Sequence, residues 1–274
     1  MKFIAEGRTA EIFEYGDERV LKLYRIGFPK DAIKYEFEIN KLVHSLGISV
    51  PEVYGLIELE ERAGIIFHYI EGNSLIQKIV QNPLELNYFT DMLAEMHFQI
   101  HTHGINTEDV GIHFRKQKEV LAQNIHKASA LSNDEKNAII SYLEKLPNGN
   151  YLCHGDFHPD NAMLGEQKWI IDWMTGMMGN PAGDVARTLL LFRLGTLPEG
   201  TPSHIREALL HMRDRMGDEY IKQYLSYSDL QFDDIDKWTL PVAAARLTEW
   251  IPEEEKDALT SLVRERLQAI PQDF

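Results

Sequence analysis

The segment His154-Gly155-Asp156-Phe157-His158-Pro159-Asp160-Asn161 restricts this chain more than any other stretch. Eleven positions after Asn161 comes Asp172, at the end of the apolar run Trp169-Ile170-Ile171. The pattern predicts a polar loop between two short strands, at 151–153 and 168–171, with Asp172 at the end of the second. A loop carboxylate can face a substrate hydroxyl. An amide oxygen and a second carboxylate are the donors that a small, hard cation such as Mg²⁺ takes. Phosphoryl transfer needs both functions, a carboxylate at the acceptor and oxygens for the metal that neutralises the polyphosphate.

The rest of the chain is patterned in two parts. Residues 3–26 read as two or three strands, with Val20-Leu21-Lys22-Leu23-Tyr24 alternating around a central lysine. Asp31 is a candidate cap for a helix that runs to Leu46 and stops at Gly47, with Ile33, Phe37, Leu42 and Leu46 on its buried side. Residues 52–59 and 64–70 are further strand candidates. After Glu71-Gly72-Asn73 the period becomes helical, so the division falls at 71/72. Leu86, Phe89, Leu93, Met96 and Ile100 lie on one helical face. Ser132-Asn133-Asp134-Glu135 has the form of a capping box. Helices are expected at about 184–195, 203–226 and 235–248, and one opening at Pro252. A β-rich start and a helical body make an α+β fold.

Composition excludes several alternatives. With 28 basic and 43 acidic residues the net charge is −15, which opposes nucleic-acid binding through a basic stripe. It favours a cationic partner, or simply solubility. A single cysteine, Cys153, allows no intrachain disulfide and fits a reducing compartment. No apolar run approaches the ~20 residues of a membrane span, and charges come too early in Met1-Lys2-Phe3-Ile4-Ala5-Glu6 for a signal peptide. A cytoplasmic protein without membrane contact is expected; oligomeric state is not readable.

The loop and Ile171-Asp172-Trp173 resemble the HGDxHxxN…IDW signature of the aminoglycoside phosphotransferase and choline kinase superfamily. The five-residue offset of Asp156 and Asn161 is also that of the protein-kinase catalytic loop. The resemblance covers residues 4–192. It implies a bilobal protein-kinase-like fold: a small β-rich nucleotide-binding lobe at 1–71, and a larger helical lobe at 72–274 for catalysis and acceptor binding. It implies ATP and Mg²⁺, and a small-molecule hydroxyl acceptor such as an aminoglycoside or amino alcohol.

By that resemblance Asp156 is the catalytic carboxylate facing the acceptor, and Asn161 and Asp172 are the metal ligands. Lys22 would hold phosphates, paired with Glu36 rather than Glu38, because Glu36 precedes Gly47 by the family's interval. Thr9, in Glu6-Gly7-Arg8-Thr9-Ala10, would reach phosphate oxygens. His68 and Ile70 would bond the adenine edge through backbone, and Ile12, Val20, Phe67, Met163 and Ile171 would sandwich the ring. Asp184 and His154 would brace the catalytic loop. His97, His101 and His103 have a metal-like spacing, but Phe98 breaks the HExxH pattern and a structural role is favoured.

Two rival readings remain, a protein kinase and a catalytically dead pseudokinase. Gly155 where protein kinases carry arginine, and only 12 positions from Asp172 to Asp184, oppose the first. The presence of Lys22, Asp156, Asn161 and Asp172 opposes the second. A cationic acceptor would be held by acids of the C-terminal helices, where Glu249, Asp233-Asp234 and Glu253-Glu254-Glu255 occur. Solvated helix starts explain the last run better, so no acceptor residue beyond Asp156 is assigned.

Overall fold

The computed structural model describes residues 1–106, 114–196 and 203–270. These pack as two compact units. Among the described residues, the first contains 1–77 and 159–176, and the second 78–106, 114–158 and 177–270. The expected division at 71/72 falls near the first break. Residues 159–176 pack with the first unit.

The first unit opens with strands β1 (Phe3–Glu6), β2 (Ala10–Glu14) and β3 (Arg19–Tyr24). Helix α1 (Lys30–Ser45) follows, then β4 (Val53–Leu59) and β5 (Arg62–His68). The strands form one antiparallel sheet in the order β1-β2-β3-β5-β4. Strand alternation splits its side chains between two faces. Ala10, Tyr24, Ile65 and Phe67 pack with Ile33 of α1, and Val20 joins them. Leu21, Leu23 and Ile66 form the other cluster. Lys22 lies between Val20 and Tyr24 in the alternation and therefore on the α1 side.

Helix α1 departs from expectation in its N-cap and in its buried face. Its N-cap is Pro29, not Asp31, and Asp31 lies in the first turn, where its charge complements the helix dipole. Its buried residues are Ile33, Glu36, Ile39, Asn40 and Val43, while Phe37, Leu42 and Leu46 are half-buried. Counting apolar positions missed this rotation because two of the buried positions are polar. Gly47 ends the helix with φ +83°, as the left-handed residue of a helix stop, and Ile48 N–H returns to the Val43 carbonyl at 3.4 Å.

Strand β6 (Asn73–Ser74) and helix α2 (Leu75–Gln81) lead out of this unit. The second unit contains α3 (Leu86–His101), α4 (Gln117–Lys127), α5 (Asn133–Lys145) and β7 (Tyr151–Cys153). The chain then supplies β8 (Ala162–Leu164) and β9 (Lys168–Ile170) to the first unit, where they pair with β6 in the order β6-β8-β9. Strand β10 (Met177–Gly179) pairs antiparallel with β7. It is followed by α6 (Pro181–Leu194), α7 (Ser203–Tyr227), α8 (Phe232–Asp236), α9 (Thr239–Arg246) and α10 (Glu253–Gln268). The expected face of α3 is buried at all five positions, and Ser132 and Glu135 form the capping box of α5.

The helix expected at 235–248 is two helices. Pro241 explains the break: inside one long helix it would lose a backbone bond and clash with the preceding turn. As the third residue of α9 it needs no intrahelical acceptor. Pro252 is the N-cap of α10 and not its first residue. No described helix is long and apolar enough to cross a membrane.

Candidate active site

In the first unit, Lys22 meets two carboxylates. Its Nζ is 2.7 Å from Glu36 Oε1 and 2.8 Å from Asp172 Oδ1. Glu38, two residues along α1, makes neither contact. A lysine in a sheet core is costly unless paired, and the pairing accounts for its place. Burial works against the Lys22 charge, but Asp172 and Glu36 outweigh it and hold its pKa above the ordinary value. Burial pushes Glu36 upward despite Lys22. Tyr24 donates its hydroxyl to the second Glu36 oxygen, Oε2, at 2.5 Å.

The β8–β9 hairpin sets the metal-ligand candidates beside each other. Its register pairs Ala162 with Ile170, and Ile171 N–H donates to the Asn161 carbonyl at 3.0 Å. Asn161, one residue before β8, thus stands across from Ile171, next to Asp172. Asp172 has φ +65° and ψ +59°. This left-handed conformation costs an ordinary residue about 1–2 kcal/mol and is tolerated best by Asp and Asn. It turns the chain sharply at the end of β9, and the Asp172 side chain is 41% exposed while bonded to Lys22. An uncharged amide oxygen and an accessible carboxylate fit Mg²⁺, which binds few protein oxygens and keeps waters.

The other nucleotide candidates divide by position. Ile12, Val20 and Phe67 occupy the Lys22 side of the sheet, because Ile12 pairs with Lys22 and Val20 with Phe67. Met163 sits in β8 opposite Trp169, and Ile171 directly precedes Asp172. Thr9 lies in the β1–β2 turn. That turn is closed by Gly7 N–H to the Ala10 carbonyl at 2.8 Å and by Arg25 N–H to the Thr9 carbonyl at 2.9 Å. His68 ends β5 with its own N–H on the Glu52 carbonyl, and Ile70 lies just beyond the strand.

Asp156 belongs to the second unit, on the loop after β7. Gly155 has φ +79°, open to glycine without a Cβ clash. The successive N–H groups of His154 and Gly155 both donate to Asp184, at 2.6 and 2.8 Å. Asp184 sits in the first turn of α6 and is 1% exposed. Its Oδ2 also accepts from His97 Nε2 at 3.1 Å and His101 Nε2 at 3.2 Å. The Nδ1 atoms of these histidines meet the hydroxyls of Tyr220 and Tyr224 at 2.6 and 2.7 Å. Burial alone would raise Asp184, but the His101 and His97 bonds outweigh it and hold its pKa well below the usual range.

This cluster groups two histidines and an acid as a metal site would. Every ring nitrogen already has a protein partner and the acid already carries two backbone N–H groups, so the cluster reads as a brace. Burial, then His101, lowers the His97 pKa to about 3, so its imidazole is neutral. The unfolded chain, with a histidine near 6.5, binds that proton first on acidification. His97 therefore stabilises the fold above about pH 6.5, and the contribution is lost as pH falls from there toward 3. The loss is about 1.4 kcal/mol per pH unit. Urea unfolding at pH 7, 5.5 and 4.5 should show this decline, with a shallower slope in His97→Gln. Flat stability across the range would contradict the neutral brace.

Asp156 has a partner that sequence reading did not anticipate. Arg187, one turn after Asp184 on α6, donates to Asp156 Oδ1 at 3.0 Å, and His158 Nε2 is 3.8 Å from Oδ2. Burial would raise Asp156, but Arg187 and then His158 more than offset it and bring its pKa to about 2. Arg187 is itself gripped by Glu249 at 2.5 and 2.9 Å. Arg246 donates to the same Glu249 at 2.6 Å and to buried Glu255 at 2.6 Å. Glu255 also accepts from the Thr196 N–H and hydroxyl at 2.8 and 2.6 Å. Two of the C-terminal acids considered for acceptor binding are thus engaged by arginines. Asp234 closes a capping box with Gln231 at the start of α8. The matched i, i+4 pairs His97/His101 and Tyr220/Tyr224 were the available sequence signal for the brace. In the Arg187–Glu249–Arg246–Glu255 chain only Arg246–Glu249, an i, i+3 pair, had a local sequence signal.

Comparisons with known proteins identify the family and the fold. Residues 1–220 match the model of the family described as APH, phosphotransferase enzyme family. The chain is 25% identical over 181 residues to acyl-CoA dehydrogenase family member 10 of Mus musculus, a match covering 60% of this chain but 17% of that protein. The solved structure of aminoglycoside phosphotransferase APH(4)-Ia superposes with a TM-score of 0.66 at 13% identity, covering 97% of this chain and 92% of that one. Choline kinase LicA from Streptococcus pneumoniae gives 0.61 at 15% identity, with 98% and 93% covered. The streptomycin–ATP complex of APH(2")-IIa gives 0.60 at 17% identity, with 96% and 90% covered. At these identities the structures establish the fold: α+β and protein-kinase-like, a β-rich unit followed by a helical one. With the family model covering most of its length, the chain belongs to the APH phosphotransferase enzyme family.

Proposed function

We propose that this phosphotransferase moves the γ-phosphoryl group of Mg-ATP to a hydroxyl of a small molecule. The observation that carries the reading is the Lys22–Glu36–Asp172 cluster, with Asn161 set beside Asp172 by the hairpin register. Residues 1–71 act as the nucleotide lobe and 72–274 as the catalytic and acceptor lobe, with 159–176 contributing the metal ligands. Ile12, Val20, Phe67, Met163 and Ile171 receive the adenine, His68 and Ile70 bond its edge through backbone, and Thr9 reaches phosphate oxygens. A structural relative solved with ATP and streptomycin supports nucleotide use. Asn161 and Asp172 would hold Mg²⁺, which neutralises phosphate charge when bound.

Asp156 orients the acceptor. The hydroxyl oxygen forms a bond to the γ-phosphorus as the bond to the β–γ bridging oxygen breaks and ADP leaves. With a pKa near 2, Asp156 is a weak base before the acceptor arrives. It aims the hydroxyl and takes its proton late, as bonding to phosphorus acidifies it. Asp184, through the N–H groups of His154 and Gly155, keeps the loop in place for this.

A protein substrate is disfavoured because the stretch between Asp172 and Asp184 is fully used: a 3-10 turn at Trp173–Thr175, β10, and the start of α6. A pseudokinase is disfavoured because no expected catalytic group is missing. The 15 excess negative charges favour a cationic acceptor, an aminoglycoside or amino alcohol, in a cytoplasmic setting. Since Glu249 and Glu255 are arginine-paired, the acceptor-binding acids remain unassigned. An ADP-release screen should compare matched cationic and neutral hydroxyl compounds at low and high salt. Amines should be the better acceptors, and more so at low salt. Efficient turnover of neutral sugars alone would overturn the charge argument.

A further inference from the structure

Glu36 receives one hydrogen bond on each carboxylate oxygen: Lys22 at 2.7 Å on Oε1 and Tyr24 at 2.5 Å on Oε2. Both donors come from the same face of β3, two residues apart. Glu36 and Tyr24 are each 0% exposed, so their bond is made away from solvent. The Tyr24 ring is fixed in turn. It stacks on Phe28 at 5.1 Å, packs in the cluster of Ile33, Ile65 and Phe67, and lies 5.5 Å from Lys22 Nζ. A carboxylate held at one oxygen can still swing about that bond. Held at both by groups on one strand, its plane and its distance from β3 are set.

Lys22 also bonds Asp172 here. In the function proposed above, Asp172 turns its charge to the metal when nucleotide binds. Lys22 is then anchored by Glu36 alone, and the aim of Glu36 rests on Tyr24. We infer that Tyr24 is a positioning residue for nucleotide binding, holding Glu36 so that Lys22 stays directed at the phosphates. This rests on that reading of Lys22 and extends it to a residue that touches neither phosphate nor metal. Because the Tyr24–Glu36 bond is already made in the free protein, its loss should also lower the stability of the free protein; the positioning role is read from the loss of nucleotide affinity.

The test is a double-mutant cycle with Mg-AMP-PNP titrated calorimetrically into wild type, Tyr24→Phe, Glu36→Gln and the double variant. Tyr24→Phe keeps the ring and its packing, and thermal melting confirms folding. The expected result is about tenfold weaker binding in Tyr24→Phe, a difference of about 1.4 kcal/mol between the free and the bound protein. A larger loss is expected in Glu36→Gln, and no further loss in the double variant, because a residue acting through another has no effect once that one is gone. Wild-type affinity in Tyr24→Phe, with Glu36→Gln weakened, overturns the inference and leaves the nucleotide reading standing. The same loss from Tyr24→Phe in both backgrounds overturns it as well. Unchanged affinity in Glu36→Gln removes the nucleotide reading and this inference with it.

Discussion

Asp156→Asn should lower turnover by at least about 100-fold, the scale of general acid–base contributions, while leaving nucleotide affinity within about twofold of wild type. The substitution keeps the side chain's shape and one oxygen for Arg187, which retains its two bonds to Glu249. Folding should therefore survive. Asp184, not Asp156, carries the N–H groups of His154 and Gly155, so the loop keeps its conformation. What is lost is the negative charge at the acceptor oxygen. An amide orients a hydroxyl poorly and cannot receive its proton. The loss should appear in kcat, with the KM for nucleotide little changed. Near wild-type kcat in steady-state kinetics would remove Asp156 from the chemistry.

Asp172→Ala should abolish most of the Mg²⁺ dependence of ATP binding. Loss of an outer-sphere partner typically costs a metal site 10–100-fold, so losing a direct charged ligand should cost about 100-fold or more. The backbone adds a second effect. At φ +65° alanine is less at ease than aspartate, so Asp172→Asn is the better-matched control. It keeps the left-handed conformation and an oxygen but removes the charge, and should fall between wild type and alanine. Lys22 keeps Glu36 in both variants, so metal-free ATP binding should change far less. Equal Mg²⁺ enhancement of affinity in wild type and Asp172→Ala would exclude the assignment.

The parts of this fold that were legible are those where local chemistry and tertiary packing agree. The strands around Lys22, the face of α3 and the capping box of α5 follow from alternation, helical period and a local hydrogen-bonded signature. Failures came where a polar residue is buried for a tertiary reason. Glu36 and Asn40 rotate the face of α1 away from the one its apolar residues suggest. Pro241 divides a helix that periodicity drew as continuous.

The candidate site shows the same division. Lys22, Glu36, Asn161 and Asp172 could be singled out because their types and spacings recur in a known signature, and the structure joins Lys22, Glu36 and Asp172 by direct contact. Arg246 and Glu249 are an i, i+3 pair, but Arg187–Glu249 and Arg246–Glu255 could not be linked, since tertiary packing and not helical spacing sets them. The acids near residue 250 therefore resembled a free anionic surface, while two of them pair with arginine. Tyr24 read only as an apolar strand residue, because nothing in β3 reveals that its hydroxyl meets a buried carboxylate.

The most direct test of the central claim is phosphorus NMR of the protein incubated with Mg-ATP and a panel of small hydroxyl compounds, cationic and neutral. The account predicts that at least one compound yields a new phosphate monoester resonance growing one-to-one with ADP, and that Asp156→Asn suppresses both signals. ATP conversion only to ADP and inorganic phosphate, unaffected by every compound and by Asp156→Asn, would contradict it.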